Sequence, residues 1–81
     1  MVQILLFGIS KDIIGYSTLT INLQELQIST VGALRTYLCT NYPSFTRLKS
    51  FGIAVNENYA DDSFSLHAND TIAIIPPVSG G

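Results

Sequence analysis

A chain of 81 residues holds one domain with no room for a second catalytic one, and at this size only a little over ~60% of the unfolded surface is buried on folding. Apolar residues make up 47% and charged residues 12%, against roughly 25% charged in an average soluble domain, so an exposed apolar patch that serves as a partner site is expected. Lys11, Arg35, Arg47 and Lys49 face six acidic residues for a net charge of −2 with no basic cluster, which argues against nucleic acid, and the single Cys39 precludes an internal disulfide and points to a cytoplasmic home.

Met1 to Ile9 is apolar but has no basic leader or cleavage signal, and no stretch approaches a membrane span, so it reads as a strand. Val2, Ile4 and Leu6 alternate with Gln3, Leu5 and Phe7, and because both sets are largely apolar a central strand covered on much of both faces is predicted. Gly8 to Ser17 breaks the pattern as a long loop, after which Leu19, Ile21 and Leu23 alternate with Thr18, Thr20 and Asn22 as a half-buried strand. Thr30 is placed to cap a helix whose Val31, Leu34 and Leu38 share one face, with Tyr37 beside them, and Pro43 disfavours helical geometry at Tyr42 and ends it. Ser44 to Ser50 reads as irregular, with a short helical turn around Phe45 to Leu48.

Ile53 and Val55 resume a strand, Asn56-Glu57-Asn58 turns it, and Tyr59-Ala60 is a short return. Asp61-Asp62-Ser63 and Asn69-Asp70 mark loops before a last strand, Thr71 to Ile75, again apolar on both sides. These elements predict an α+β domain with one helix laid across a mixed sheet, the first and last strands adjacent and parallel at its centre. The predicted organisation is a body over residues 1–75 and an extended tail over 76–81.

That tail reads Pro76-Pro77-Val78-Ser79-Gly80-Gly81. Two prolines hold the base stiff and push Ile75 towards extended geometry, while the two glycines, lacking β-carbons, fit a narrow channel. Fully stretched, the segment reaches about 20 Å, enough for a buried site in another protein. Its terminal carboxylate is inert until activated, and adenylation would supply the leaving group that a sulfur or nitrogen nucleophile displaces. Taken alone, the glycines fit a frayed end or a cloning scar as well.

The remaining chemistry-bearing residues point elsewhere than to catalysis. Cys39, near the apolar face of the helix, reads as a small hydrophobe rather than a sulfur relay. His67 lacks a second ligand at metal spacing, and Asp61-Asp62 reads as a solvated turn. There is no glycine-rich phosphate loop, since Gly80-Gly81 is followed by no helix. No metal and no bound cofactor are expected.

Several segments resemble one family end to end. Leu5-Leu6-Phe7 with Lys11-Asp12 and Gly15, Thr30-Val31-Gly32-Ala33-Leu34, Tyr42-Pro43, Ala54-Val55-Asn56 and the run from Asn69 to Gly81 are similar to the MoaD family, the small sulfur-carrying subunits of molybdopterin synthase with a ubiquitin-like β-grasp fold. Lysine and aspartate stand at positions 11 and 12 where arginine and glutamate are commoner in that family. A Gly-Gly ending is shared with thiamine-pathway carriers and ubiquitin-related modifiers, whereas the Pro-Pro-Val-Ser lead-in favours the molybdenum-cofactor branch.

The resemblance implies that the chain has no active site of its own. An ATP-dependent, ubiquitin-activating-like enzyme (MoeB type) would adenylate Gly81, and a sulfur donor protein carrying a cysteine persulfide would supply the sulfur of a Gly81 thiocarboxylate. A large catalytic subunit (MoaE type) would receive the tail, with Gly80 threading its channel, and sulfur would pass to cyclic pyranopterin monophosphate. Two transfers build one dithiolene, hence a heterotetramer of two small and two large subunits. ATP would be used by the activating partner and not bound here. By family position, Phe7, Tyr59 and Ile75 correspond to an apolar partner-binding patch, continued by Pro76, Pro77, Val78 and Ser79. Ile75 could equally complete the core. The alternatives are a ubiquitin-like protein modifier joined to target lysines, or a sulfur carrier for thiamine synthesis or tRNA thiolation.

Overall fold

Residues 1–47 and 51–75 are described by the structure, a computed structural model. Among these residues five strands form one mixed sheet: β1 (Val2–Leu6), β2 (Thr18–Ile21), β3 (Gly52–Val55), β4 (Asn58–Tyr59) and β5 (Thr71–Ile75), in the order β2-β1-β5-β3-β4. The expected central pair is present. β1 and β5 run parallel with Gln3 opposite Thr71 and Leu6 opposite Ile74, and the other neighbours are antiparallel. Among the described residues three helices accompany the sheet: α1 (Ile9–Ile14), α2 (Leu23–Leu26) and α3 (Val31–Asn41), with a 3-10 turn over Pro43–Arg47. This is the α+β, ubiquitin-like β-grasp arrangement that the sequence predicts.

α3 forms where the cap and stop signals put it. The Thr30 hydroxyl accepts from the Ala33 amide at 3.2 Å, and the next free amides donate to loop carbonyls, Val31 to Phe64 at 3.0 Å and Gly32 to Asp62 at 2.9 Å. Those amides have no partner inside a helix, so the 62–64 loop closes the N-terminus that Thr30 leaves partly open. Val31, Leu34 and Leu38 are fully buried and join Ile4, Ile53, Ile72 and Ile74 in one core. Arg35, on the same helix, reaches across to the sheet. It pairs with Asp62 at 3.1 Å, donates to the Phe51 carbonyl at 2.6 Å and lies 4.7 Å from the centre of the Phe51 ring. Phe51 in turn packs on the fully buried Phe45 of the 3-10 turn.

Three expectations need correction. The segment from Gly8 to Ser17 is not all loop, because α1 occupies Ile9–Ile14 and takes Ile9 out of the first strand. Ser10 holds it there: fully buried, its hydroxyl donates to the Phe7 carbonyl at 2.6 Å and accepts from the Phe7 amide at 3.1 Å. Gly15 ends α1 at φ 93°, a left-handed angle that glycine adopts without strain. Leu23 does not extend the second strand but opens α2, whose cap Asn22 accepts from the Glu25 amide at 3.0 Å. Finally, the central strands are not covered on both sides: Val2, Ile4, Leu6, Ile72 and Ile74 are buried, whereas Gln3 and Thr71 are exposed and Leu5, Ala73 and Ile75 half-buried. The smaller elements shift slightly. The short return strand is Asn58–Tyr59, and the helical turn expected at Phe45 to Leu48 starts earlier, at Pro43, with Leu48 outside the described residues.

Candidate functional site at the root of the tail

Pro76, Pro77, Val78, Ser79, Gly80 and Gly81 lie outside the described residues, so the site is built from what surrounds the end of β5. β5 is the middle strand, hydrogen-bonded on both sides, and its last residue Ile75 pairs with Gly52 of β3. A strand held on both edges gives whatever follows it a fixed point of departure.

Strand pairing places the outward residues in rows. Leu5, Ala73, Ala54 and Tyr59 are consecutive partners across β1, β5, β3 and β4, and because alternate residues share a face, all four lie on the side away from the buried Ile72 and Ile74. The next row towards the tail holds Ile75 and Gly52, and Phe7 follows Leu6, the last paired residue of β1. Phe7 is 50% exposed and Tyr59 75%, while Ile75 is half-buried. Tyr59 and Ile75 thus stand on one face towards the tail end of the sheet, and Phe7 follows the last residue of β1 at that same end. Ile75 does not enter the core.

The floor between them is made of small residues, Ala73, Ala54 and Gly52, and Gly52 was not singled out from the sequence. A β-carbon on Gly52 would lie 2.7 Å from Cε1 of Tyr59 and 3.7 Å from Cβ of Ile75. The signal was available, since a glycine inside a strand marks close approach of another group.

The other residues with chemistry in their side chains lie apart from this face or have structural partners. Cys39 is half-buried against the core. His67 is exposed and its amide donates to Asp70 at 2.8 Å. Asp61 accepts from the Ser63 hydroxyl at 2.6 Å and the Ser63 amide at 3.0 Å, which together hold its carboxyl below the usual aspartate value. Asp70 is lowered likewise, by the His67 amide first and then by the Asn56 side chain. Among the described residues no group of three or more His, Cys, Asp or Glu side chains could hold a metal ion, and no helix is long and apolar enough to cross a membrane. An open concavity of about 410 Å³, lined by Met1, Leu23, Ile28, Leu66 and His67 among others, opens at the far end of the sheet from Ile75.

The family model for the ThiS family matches residues 4–81. The chain belongs to the ThiS family. Within it, the chain is homologous to the molybdopterin synthase sulfur carrier subunit of Dictyostelium discoideum, with 42% identity over 82 residues covering 98% of this chain and 94% of the relative. Subunits 1 and 2 of the molybdopterin-converting factor from Helicobacter pylori have been solved as a protein–protein complex, and a chain of that structure matches 99% of this ThiS-family chain and 97% of itself at 26% identity and a TM-score of 0.66. The fold is shared with SAMP1 from Haloferax volcanii at a TM-score of 0.78 and 24% identity, over 99% of this chain and 98% of that one.

Proposed function

We propose that this protein is the sulfur carrier subunit of a molybdopterin synthase, a donor subunit rather than a complete enzyme, whose working group is the Gly81 carboxyl. The carboxylate attacks the α-phosphorus of ATP in an activating partner, pyrophosphate leaves, and an acyl-adenylate forms. A persulfide sulfur from a donor protein then displaces AMP, and a thiol reductant cleaves the resulting acyl disulfide to leave the thiocarboxylate. The large subunit supplies the pocket and the acid and base groups for transfer of that sulfur to cyclic pyranopterin monophosphate. The domain's own part is steering: β5 fixes the origin of the tail, Phe7, Tyr59 and Ile75 meet the partner, and residues 76–81 span the distance into its site.

The observation that carries this reading is the family match, which runs through the tail to residue 81. The exposed aromatic face around Ile75 supports it, because aromatics on a flat apolar floor commonly anchor interfaces. Incubation with ATP, activating enzyme and a sulfur source is expected to add about sixteen mass units at the C-terminus, oxygen replaced by sulfur. A terminus of unchanged mass would overturn the carrier reading, and Gly-Gly remnants isopeptide-linked to lysines of other proteins would favour a modifier.

A further inference from the structure

We propose that Gly52 is a positioning residue, one that lets the Tyr59 ring lean towards the root of the tail and so sets the shape of the docking face. The proposal rests on the interface reading given above. Strand pairing puts Tyr59 directly opposite Ala54, so an upright side chain would stand over Ala54. The ring instead leans diagonally, two residues along β3, until Cε1 and Cδ1 come within 2.7 and 3.2 Å of where a β-carbon on Gly52 would be. Diagonal neighbours in a sheet are within reach of an aromatic side chain, and an aromatic ring laid over a strand glycine fills the space that a side chain would take.

The direction of the lean is what matters. Gly52 pairs with Ile75, whose Cβ lies 3.7 Å from the same point, so the ring comes to rest beside the last described residue of β5. Burial is not the purpose, since Tyr59 remains 75% exposed. One ring edge rests on the glycine and the rest faces outward, forming with Ile75 a flat apolar shelf that carries a phenol group. A fitting partner surface is apolar, with a hydrogen-bonding group at its margin for the phenol.

A β-carbon at position 52 would collide with the ring but with little else. Gly52 has no left-handed φ, so its backbone accepts alanine, and Ile75 stands at ordinary contact distance. The ring is the end of a side chain with two rotatable bonds and can swing off. Gly52→Ala is therefore expected to keep the fold and lose the aim.

The test is a double-mutant cycle in the full-length chain, titrating its molybdopterin synthase large subunit with the wild type, Gly52→Ala, Tyr59→Ala and the double variant, alongside thermal unfolding of each. Gly52→Ala is expected to weaken binding roughly five- to tenfold when Tyr59 is present and less than about twofold when residue 59 is alanine, with no matching fall in melting temperature. Equal losses in both backgrounds would overturn the proposal. So would an unchanged affinity for Gly52→Ala beside a weakened Tyr59→Ala, an outcome that leaves the interface reading standing. Should Tyr59→Ala itself bind normally, that reading fails and this one with it. A check without the partner is the NMR shift of the Gly52 α-protons, expected upfield under the ring in the wild type and lost in Tyr59→Ala; a shift common to both would also overturn it.

Discussion

The two faces of the sheet are made from alternating residues of the same strands, and they differ in size more than in polarity. On the helix side stand Ile4, Ile53, Ile72 and Ile74, all fully buried; on the other stand Leu5, Ala73, Ala54 and Gly52, with Ile75 and Tyr59 towards the tail end and the exposed Phe7 just past β1. Branched side chains interdigitate with a helix, whereas a floor of alanine and glycine is flat and leaves its rim residues standing proud. One face is thus filled from within. The other leaves Tyr59 largely exposed at its rim, which suits the proposed role of a donor that works only when seated on a partner.

Truncations on the two faces should therefore fail differently. Leu34→Ala opens a cavity at a fully buried position of α3 and is expected to lower stability by about 2–5 kcal/mol in urea unfolding. Phe7→Ala, at a half-exposed rim position, should change stability by less than about 1 kcal/mol yet weaken binding to the large subunit about tenfold or more. An affinity unchanged by Phe7→Ala, measured by calorimetric titration, would break the contrast. Thr30→Ala removes the α3 cap and should cost ~1 kcal/mol of stability, seen as a lower melting temperature, with affinity for the large subunit preserved because the cap is on the helix side.

The parts of the fold that were legible in the sequence are those whose signals extend over several turns or residues. The apolar runs Val2–Leu6 and Thr71–Ile75 gave the central parallel pair, and Thr30 with Pro43 bracketed α3. α1 was missed because six residues are too few for a periodicity, and what holds it is the Ser10 clip to Phe7. α2 was missed because Leu23 continues the alternation of Leu19 and Ile21. Asn22 followed by Glu25 three positions later is a capping pattern, and it was the competing signal that won. The error about two-sided coverage has a simpler cause: apolar alternation marks which residues share a face, not what covers it. Among the described residues the one long helix, α3, covers one face. Of the candidate site, the resemblance proposed Phe7 and Tyr59, and both are exposed, whereas Gly52 became visible only when Tyr59 was found leaning over it.

The smallest expected effect lies at the end of the sheet away from the tail and should leave the docking face untouched. Asp70 accepts from the Asn56 side chain at 3.0 Å and from the His67 amide at 2.8 Å, while Asn56 in turn accepts from the Thr71 amide at 3.0 Å, so the carboxylate helps hold the β3–β4 turn against the start of β5. Both bonds favour the ionised form and hold its pKa below the ordinary 3.8. A group whose pKa is lower folded than unfolded adds stability that is complete above the unfolded value and disappears as pH falls through the folded one. Asp70→Asn should therefore lower stability near neutrality, and the gap from the wild type should close as urea unfolding is repeated from about pH 6 down to about pH 2. Asp61, lowered in the same direction by Ser63, keeps part of the acid sensitivity in the variant. A gap that stayed constant over that range would mean that the Asp70 charge has no part in the contact, and sulfur loading at Gly81 near neutral pH should be the same in both proteins.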